Sequence, residues 1–142
     1  MSISEILRRK GSAVVTIEPD ATVTELVRTL GEHKIGAVVV VRDGQTVGIV
    51  SERDVVRRLD EVGAAVLELA VSELMSAEVI SCGPDDALDD IAEQMTERRI
   101  RHLPVLADGK LAGIVTIGDV VAARIRELEQ TRVQLESYIT QG

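Results

Sequence analysis

Short apolar runs alternate along the chain with apolar positions spaced by three or four residues. Continuous runs of β-branched and small apolar residues are typical of buried strands, whereas the wider spacing is typical of a helix that packs on one face. With the turn signal Asp43-Gly44, this pattern predicts the order strand, helix, strand, strand, helix in the first half of the chain. The predicted elements are a strand at 13–17, a helix capped by Thr22 or Thr24, strands at 37–41 and 46–50, and a helix that begins at Ser51.

The second half of the chain repeats this order at a fixed offset of 65 residues. The segment Gly48-Ile49-Val50-Ser51-Glu52-Arg53-Asp54 returns as Gly113-Ile114-Val115-Thr116-Ile117-Gly118-Asp119, each time after an Asp-Gly turn. A fixed offset over a long stretch marks an internal duplication, and two copies are too few for a solenoid. We therefore expect one pseudo-symmetric domain with a cleft on its axis, where ligands tend to bind. The repeated elements are strands at 79–82, 103–106 and 111–115, and helices over 87–98 and from Ile117 onward.

Two further segments are predicted to be helical. Ser2 and Glu5 fit a capping box, so we expect a short helix that opens the chain and ends at Gly11. Residues 60–77, which connect the two copies, are apolar enough to be helical rather than a loose linker.

The last helix continues about fifteen residues beyond the repeat and carries an apolar stripe. The stripe near heptad spacing consists of Ile125, Leu128, Leu135 and Ile139, and Arg132 interrupts it. This pattern indicates packing against a partner subunit, but it is equally compatible with a helix that lies on its own domain.

Composition limits the function further. A chain of 142 residues suffices for one domain that buries roughly two-thirds of its unfolded surface. The net charge of −8 and the single aromatic residue, Tyr138, argue against a nucleic-acid partner, which requires clustered cations or stacking rings. One cysteine, Cys82, cannot form an intramolecular disulfide and is interpreted as a small buried residue. Because the N-terminus lacks a signal-peptide core and no apolar run approaches about twenty residues, we expect a cytoplasmic protein without a membrane partner.

The unit β-α-β-β-α, present twice and ending each time in Gly-apolar-apolar-Ser/Thr-x-x-Asp, resembles the CBS domain, which occurs in pairs. Residues 99–105, Arg-Ile-Arg-His-Leu-Pro-Val, are similar to segments of stand-alone bacterial CBS-pair proteins. The resemblance covers residues 10–122 and implies an α+β fold of two pseudo-symmetric repeats packed as one module, with a short N-terminal helix and an extended C-terminal helix. The expected division is a helix at 1–12, repeats at 13–60 and 78–122, a helical connector at 61–77 and a helical tail at 123–142.

The resemblance also implies a function. It indicates a non-catalytic regulatory module that binds an adenosine-containing nucleotide such as AMP, ATP or NAD between the repeats, forms a homodimer, and is read by a separate effector protein. The alternative is a structural or adaptor homodimer with no nucleotide ligand. A small enzyme is disfavoured because no nucleophile with a general base can be identified, and the spacing of His33 and His102 does not fit a metal site.

The repeated motif itself contains groups that suit a nucleotide. Ser51 and Thr116 lie at predicted strand-to-helix turns, where the free N–H groups of a helix N-terminus favour a phosphate. Asp54 and Asp119, one turn later, can accept hydrogen bonds from both hydroxyls of a ribose. The same spacing also fits a capping box that needs no ligand, and both roles can coexist.

The two copies differ in charge. Copy two has Arg98, Arg99, Arg101 and His102 where copy one has His33, Lys34, Gly36 and Ala37. The resemblance places Arg101 and His102 across the axis, at the site of Asp54 and Arg53, so we expect that site to prefer more phosphate charge. The Asp119 site, with Gly118 in place of Arg53, is expected to bind AMP or less, or to stay empty. The cluster can instead be a solvated helix end that complements the helix dipole.

The candidate nucleotide-binding residues are Gly36, Ala37, Val38, Ser51, Arg53, Asp54, Arg101, His102, Pro104, Thr116 and Asp119.

Overall fold

The computed structural model describes residues 1–141 of the chain. In this part of the chain it contains six α-helices, one short 3₁₀ helix and five strands, which confirms the expected α+β composition. The helices are α1 (Ile3–Lys10), α2 (Val23–His33), α3 (Glu52–Val62), the 3₁₀ helix (Gly63–Glu68), α4 (Val71–Leu74), α5 (Leu88–Arg98) and α6 (Ile117–Gln141). The strands are β1 (Thr16–Ile17), β2 (Ala37–Arg42), β3 (Gln45–Ser51), β4 (His102–Ala107) and β5 (Lys110–Thr116).

The strands form two small sheets, one in each half of the molecule. In the first sheet β1 pairs in parallel with β2, and β2 pairs antiparallel with β3. In the second sheet β4 pairs antiparallel with β5. The hairpins turn at Asp43-Gly44 and Asp108-Gly109, where all four residues have φ between 52° and 76°. A two-residue type I′ turn requires such angles, so the predicted turns are confirmed.

The first strand of each repeat is shorter than the sequence predicts. The strand expected at 13–17 is reduced to Thr16–Ile17. The strand expected at 79–82 is wrong, because this segment contributes only an isolated parallel bridge from Cys82 to Val105. The sequence Gly83-Pro84 follows at once, and proline has no N–H for further pairing. Each repeat therefore consists mainly of its β-hairpin and its helices.

Helix capping also differs between the predicted and the observed N-termini. The Thr22 side chain accepts a hydrogen bond from the Glu25 N–H at 3.2 Å, so Thr22 is the cap of α2. The capping box expected at Ser2 is wrong, because the Ser2 Oγ lies 2.9 Å from the Ser4 Oγ instead. The backbone of α1 is held from outside, since the Ile3 N–H donates to the Asp86 carbonyl at 3.0 Å.

The helix preceding each repeat packs into the hydrophobic core of the other repeat. The core of the second half contains Ile3, Ile6 and Leu7 of α1 together with residues of α5, β4, β5 and α6. The core of the first half contains Val71 and Leu74 of α4 together with residues of α2, β2 and β3. The chain thus crosses between the halves, and each core depends on a segment distant in sequence.

Two glycines at the same position of the motif permit this packing. A Cβ on Gly113 would lie 2.6 Å from a methyl carbon of Leu7 in α1, and a Cβ on Gly48 would lie 2.6 Å from the Met75 sulfur. At Gly48 the Ser76 carbonyl oxygen would also lie 2.9 Å from the added Cβ, so the backbone there requires glycine, whereas at Gly113 the Leu7 side chain would have to move.

The C-terminal helix leaves the module after its first turns. Ala123 is fully buried and Arg124 pairs with Asp89 of α5, which fixes the start of α6 to its own half. Every residue from Leu128 to Gln141 is exposed. The tail therefore makes no buried contact with its own domain within the described chain. No helix within residues 1–141 combines the length and hydropathy needed to cross a membrane.

Candidate functional site

Asp54 lies at the junction of β3 and α3, where the chain turns from strand to helix. Ser51, the last residue of β3, is the cap of α3. Its N–H donates to the Asp54 Oδ2 at 2.8 Å, and its Oγ accepts from the Asp54 N–H at 3.4 Å. The predicted capping box is thus confirmed. Because each carboxylate oxygen has two lone pairs and the cap engages Oδ2, the carboxylate retains capacity for further donors.

A cavity of about 210 Å³ opens beside this junction, between the two halves of the molecule. Twelve residues line this cavity, and six of them, which come from both repeats, were predicted from the sequence. The predicted lining residues are Gly36, Ser51, Arg53, Asp54, Arg101 and His102. The others are Ile49, Glu52, Arg57, Ser76, Arg99 and Ile100. The loop before β4 therefore does reach across the axis to Asp54.

Four guanidinium groups surround this cavity. Arg53 and Arg57 come from α3, and Arg99 and Arg101 come from the loop after α5. Within residues 1–141 none of the four forms an ion pair with a carboxylate. Arg53, Arg99 and Arg101 also line an adjoining open cavity of about 440 Å³. In a chain of net charge −8 this is a local concentration of unpaired positive charge.

Sequence reasoning did not assign Arg57 or Arg99 to this site. Arg57 lies one helical turn after Arg53, so the spacing on α3 could have revealed it. Arg99 was named in the charged cluster of copy two, with a solvated helix end as the alternative, but it was not listed among the candidate nucleotide-binding residues. It does form the C-cap of α5 in the left-handed conformation, with φ of 55°, and it lines the cavity as well.

His102 lies at the boundary of two cavities. It lines the Asp54 cavity and also a second one of about 400 Å³ on the other side of the axis. Burial lowers the pKa of the His102 imidazole below its ordinary value of 6.5. The nearby Glu52 carboxylate opposes that shift, and the cations Arg101, Lys10 and Arg53 add to it. The imidazole is therefore neutral at neutral pH.

The second cavity adjoins the second copy of the motif through Thr116, whereas Asp119 lines a different pocket. The predicted lining residues of the second cavity are Gly36, Ala37, His102 and Thr116, and the others are Lys10, Ala13, Val14, Val15, Lys34, Ile35 and Ile114. The Thr116 N–H donates to the Asp119 Oδ2 at 2.9 Å, and the Asp119 N–H donates to the Thr116 Oγ1 at 3.2 Å. The capping arrangement of Ser51 and Asp54 is thus repeated here.

Asp119 has a partner that Asp54 lacks among the described residues. The Lys10 ammonium, at the end of α1, donates to the Asp119 Oδ2 at 2.6 Å and to the Ile114 carbonyl at 2.9 Å. Lys10 was not predicted as a site residue, because α1 lies outside the duplicated elements. Its position follows from the packing of α1 on β5.

The two remaining candidates lie in the protein interior. Val38 is fully buried in the core of the first half, and Pro104 is buried within β4. Both belong to the interior of their sheets rather than to the residues that line the two cavities. Cys82 is also buried, and burial, with a smaller contribution from Asp86, raises the pKa of its thiol to about 11. A thiol of that pKa is a poor nucleophile near neutral pH.

Comparisons with known proteins agree with this architecture. The model of the CBS domain family matches residues 3–61 and 71–126. The mitochondrial CBS domain-containing protein CBSX3 of Arabidopsis thaliana is 33% identical over 150 residues, which cover 99% of this chain and 73% of that protein.

Solved structures show the same fold. The CBS-domain containing protein ATU1752 of Agrobacterium tumefaciens has a TM-score of 0.86 and 46% identity, covering 87% of this chain and 99% of that one. The CBS domain pair of protein MJ0100, solved in complex with 5′-methylthioadenosine and S-adenosyl-L-methionine, has a TM-score of 0.79 and 24% identity. That match covers 89% of this chain and 98% of the other.

Proposed function

This chain belongs to the CBS-domain family, and we propose that it is a non-catalytic regulatory module that binds an adenosine nucleotide at the Asp54 cavity. The observation that carries this proposal is that the Asp54 carboxylate and four arginines, none of which forms an ion pair within residues 1–141, line one cleft between the repeats. A carboxylate suits the two hydroxyls of a ribose, and guanidinium groups suit phosphate oxygens.

The dimensions and polarity of the cleft support a ligand with distinct ends. Ile49 and Ile100 supply apolar surface for a base, while the arginines lie toward the adjoining open cavity. A charged tail that extends from the Asp54 cavity into the adjoining open cavity of about 440 Å³ would meet Arg53, Arg99 and Arg101. This arrangement favours ATP or NAD over AMP, because each added phosphate gains a cationic partner.

The fold is known to accommodate adenosine. The CBS pair of MJ0100 was solved with two ligands that both contain it. At 24% identity that comparison concerns the fold alone, so the residues of this chain determine which nucleotide is preferred.

Regulation would follow from the position of the cleft between the two halves. A ligand that contacts Asp54 of one repeat and Arg101 of the other stabilises one relative orientation of the repeats. We propose that the protein is a homodimer whose exposed C-terminal tail contributes to the interface, that an effector protein reads the change, and that the protein acts in the cytoplasm.

Differential scanning fluorimetry with AMP, ATP, NAD and S-adenosylmethionine tests the proposal. A ligand present at 100 times its dissociation constant adds about 2.7 kcal/mol to the free energy of unfolding. Stabilisation by at least one of these ligands that is lost in Asp54→Ala supports the function. The absence of any stabilisation at millimolar ligand would favour the alternative, a structural or adaptor homodimer.

A further inference from the structure

Lys10 occupies the place that a ligand would take at the second capping carboxylate. The Lys10 Nζ lies 2.6 Å from the Asp119 Oδ2, and the Thr116 N–H donates to the same oxygen. The side chains of Lys10 and Asp119 are 29% and 22% exposed, so the pair is partly shielded from solvent. At Asp54, the only cap-side donors among residues 1–141 are the N–H and Oγ of Ser51. Both sites therefore have an equivalent carboxylate, but among the described residues only Asp119 is paired with a cation of the chain itself.

The surroundings of Lys10 contain further positive charge without a partner. A pocket of about 180 Å³ beside the ion pair is lined by Arg9, Lys10, Asp119 and Arg126, with Ile6 and Ala122. The Arg126 Nε is buried and, among the described residues, has no hydrogen-bond partner. Neither Arg9 nor Arg126 forms an ion pair within residues 1–141. The expectation that the Asp119 site lacks cations overlooked α1, which supplies two of the three.

Lys10 also lines the apolar cavity on the other side of the ion pair. That cavity of about 400 Å³ contains Val14, Val15 and Ile114, side chains that suit a flat apolar base. Lys10 thus lines both a mainly apolar cavity and a cationic pocket, and Asp119 lines the cationic pocket.

We infer that Lys10 is an exchangeable counter-ion that makes the Asp119 site select ligands carrying both a vicinal diol and a phosphate. This inference rests on the proposed nucleotide-binding function. A diol that binds Asp119 displaces the ammonium, which would then lose its partner in a partly shielded position. A phosphate on the same ligand provides Lys10, Arg9 and Arg126 with a new partner. A nucleoside without phosphate cannot make this exchange and binds poorly.

Calorimetry in the Asp54→Ala background, which leaves the Asp119 site, tests the exchange. The comparison uses adenosine and AMP as ligands and Lys10→Met as the variant, since methionine keeps most of the chain that packs under the ion pair. We expect Lys10→Met to raise adenosine affinity roughly five- to tenfold and to lower AMP affinity, so that the preference for AMP shrinks. Lys110→Met, in the hairpin of the same half, changes the net charge equally and should change neither affinity.

Amine labelling provides a readout that needs no nucleotide. The lysines of the chain are Lys10, Lys34 and Lys110, and all three are exposed as whole residues, but the Lys10 ammonium is held by the Asp119 carboxylate and the Ile114 carbonyl. We expect Lys10 to be labelled more slowly than the others and Asp119→Asn to remove the difference. Equal labelling of all three lysines in the wild type would overturn the inference.

The outcomes separate this inference from the proposed function. If AMP binds but Lys10→Met leaves the preference for AMP unchanged, the counter-ion role is wrong and the proposed function stands. If neither nucleoside nor nucleotide binds the wild type or any variant, both are wrong.

Discussion

Gly36 and His102 face each other at the boundary of the two cavities, and each of the two residues lines both. A Cβ on Gly36 would lie 3.4 Å from the Cε1 and Nε2 of His102. A side chain at position 36 would therefore pack tightly against the imidazole and against the Glu52 Oε1, which would lie 3.3 Å from the added Cβ. A change in the charge of His102 will therefore change the electrostatic potential in both cavities.

The first prediction concerns the pH dependence of stability. The pKa of His102 is lowered in the folded protein, so the unfolded chain binds more protons below pH 6.5. We therefore expect the free energy of unfolding to fall as the pH drops through that value and to be independent of this residue above it. Urea denaturation of His102→Gln should show a smaller acid loss. His33→Gln, which alters an exposed histidine, is the control, and an equal effect of both variants would contradict the prediction.

The second prediction concerns the ribose. If Asp54 accepts both hydroxyls, Asp54→Ala should weaken nucleotide binding by about 2–4 kcal/mol. It should also cost about 1 kcal/mol of stability, because the Ser51 N–H loses its partner in the capping box. A 2′-deoxy analogue should bind the wild type less tightly and the variant with little further loss. Asp54→Asn, which can still accept from the Ser51 N–H, separates the two effects. Equal wild-type affinity for ribose and deoxyribose forms would leave Asp54 as a helix cap alone.

The third prediction concerns phosphate charge. Arg101→Ala should reduce the affinity for ATP more than that for AMP, because the lost guanidinium group serves the added phosphates. The wild-type affinity for ATP should fall as salt rises, and less steeply in the variant. Arg28→Ala, on the exposed face of α2, is the charge-matched control. Isothermal titration at two salt concentrations checks this, and equal losses for both nucleotides would argue against a phosphate role.

The fourth prediction concerns assembly. Leu135 belongs to the apolar stripe of α6 and is 57% exposed, whereas Val133, which is 56% exposed, lies off the stripe. If the tail pairs with that of a second subunit, Leu135→Glu should weaken the dimer and Val133→Glu should not. Sedimentation at micromolar concentration measures this directly. A wild-type species of 15.3 kDa would contradict the homodimer.

Truncation provides a second test of the same interface. Ending the chain at Glu129 retains the pairs of Arg124 with Asp89 and Glu127, so the fold of the module should be unaffected. Removal of everything after Ala123 would delete those pairs and confuse loss of assembly with loss of stability. Truncation after Glu129 should therefore lower the dimerisation affinity while the unfolding midpoint of the monomer stays constant.

The fifth prediction concerns Gly118, the counterpart of Arg53. A Cβ at this position meets only the Thr116 Oγ1, at 3.6 Å, so the backbone accepts a side chain. Gly118→Arg should increase the affinity of the Asp119 site for nucleotides with more phosphate. Gly118→Ala should stabilise the helix by roughly 0.5–1 kcal/mol without changing that preference. Calorimetry in the Asp54→Ala background measures the affinities, and equal effects of the two substitutions would exclude a charge effect.

Local patterns sufficed for most of the fold. The Asp-Gly turns, the helix caps at Thr22 and Ser51 and the duplicated motif are encoded over a few residues each. The shortened first strand of each repeat was not predictable, because its extent depends on partners in β2 and β4. The position of α1 was missed for the same reason: the sequence predicts an amphipathic helix but contains no signal for the sheet that it covers.

The Asp54 cavity was predicted more completely than the surroundings of Asp119. Arg101 and His102 could be placed because the resemblance to a paired domain supplies the pseudo-symmetry axis. Lys10 could not, since it has no equivalent at the repeat offset. Ile3 and Val71, which donate equivalent backbone hydrogen bonds to Asp86 and Ala21, are separated by 68 positions rather than 65. A search for a second, shifted repeat would have related α1 to α4.

The exchange of helices between the repeats has a consequence for synthesis. The first core is complete once residues through Met75 have left the ribosome, whereas Ile3, Ile6 and Leu7 must wait for β5 and the start of α6. The apolar face of α1 therefore stays exposed to solvent for most of translation, and it is the earliest apolar surface that a chaperone can bind. A fragment that starts after α1 would lack part of the hydrophobic core of the second repeat. The two repeats therefore cannot be exchanged for each other as expressed fragments.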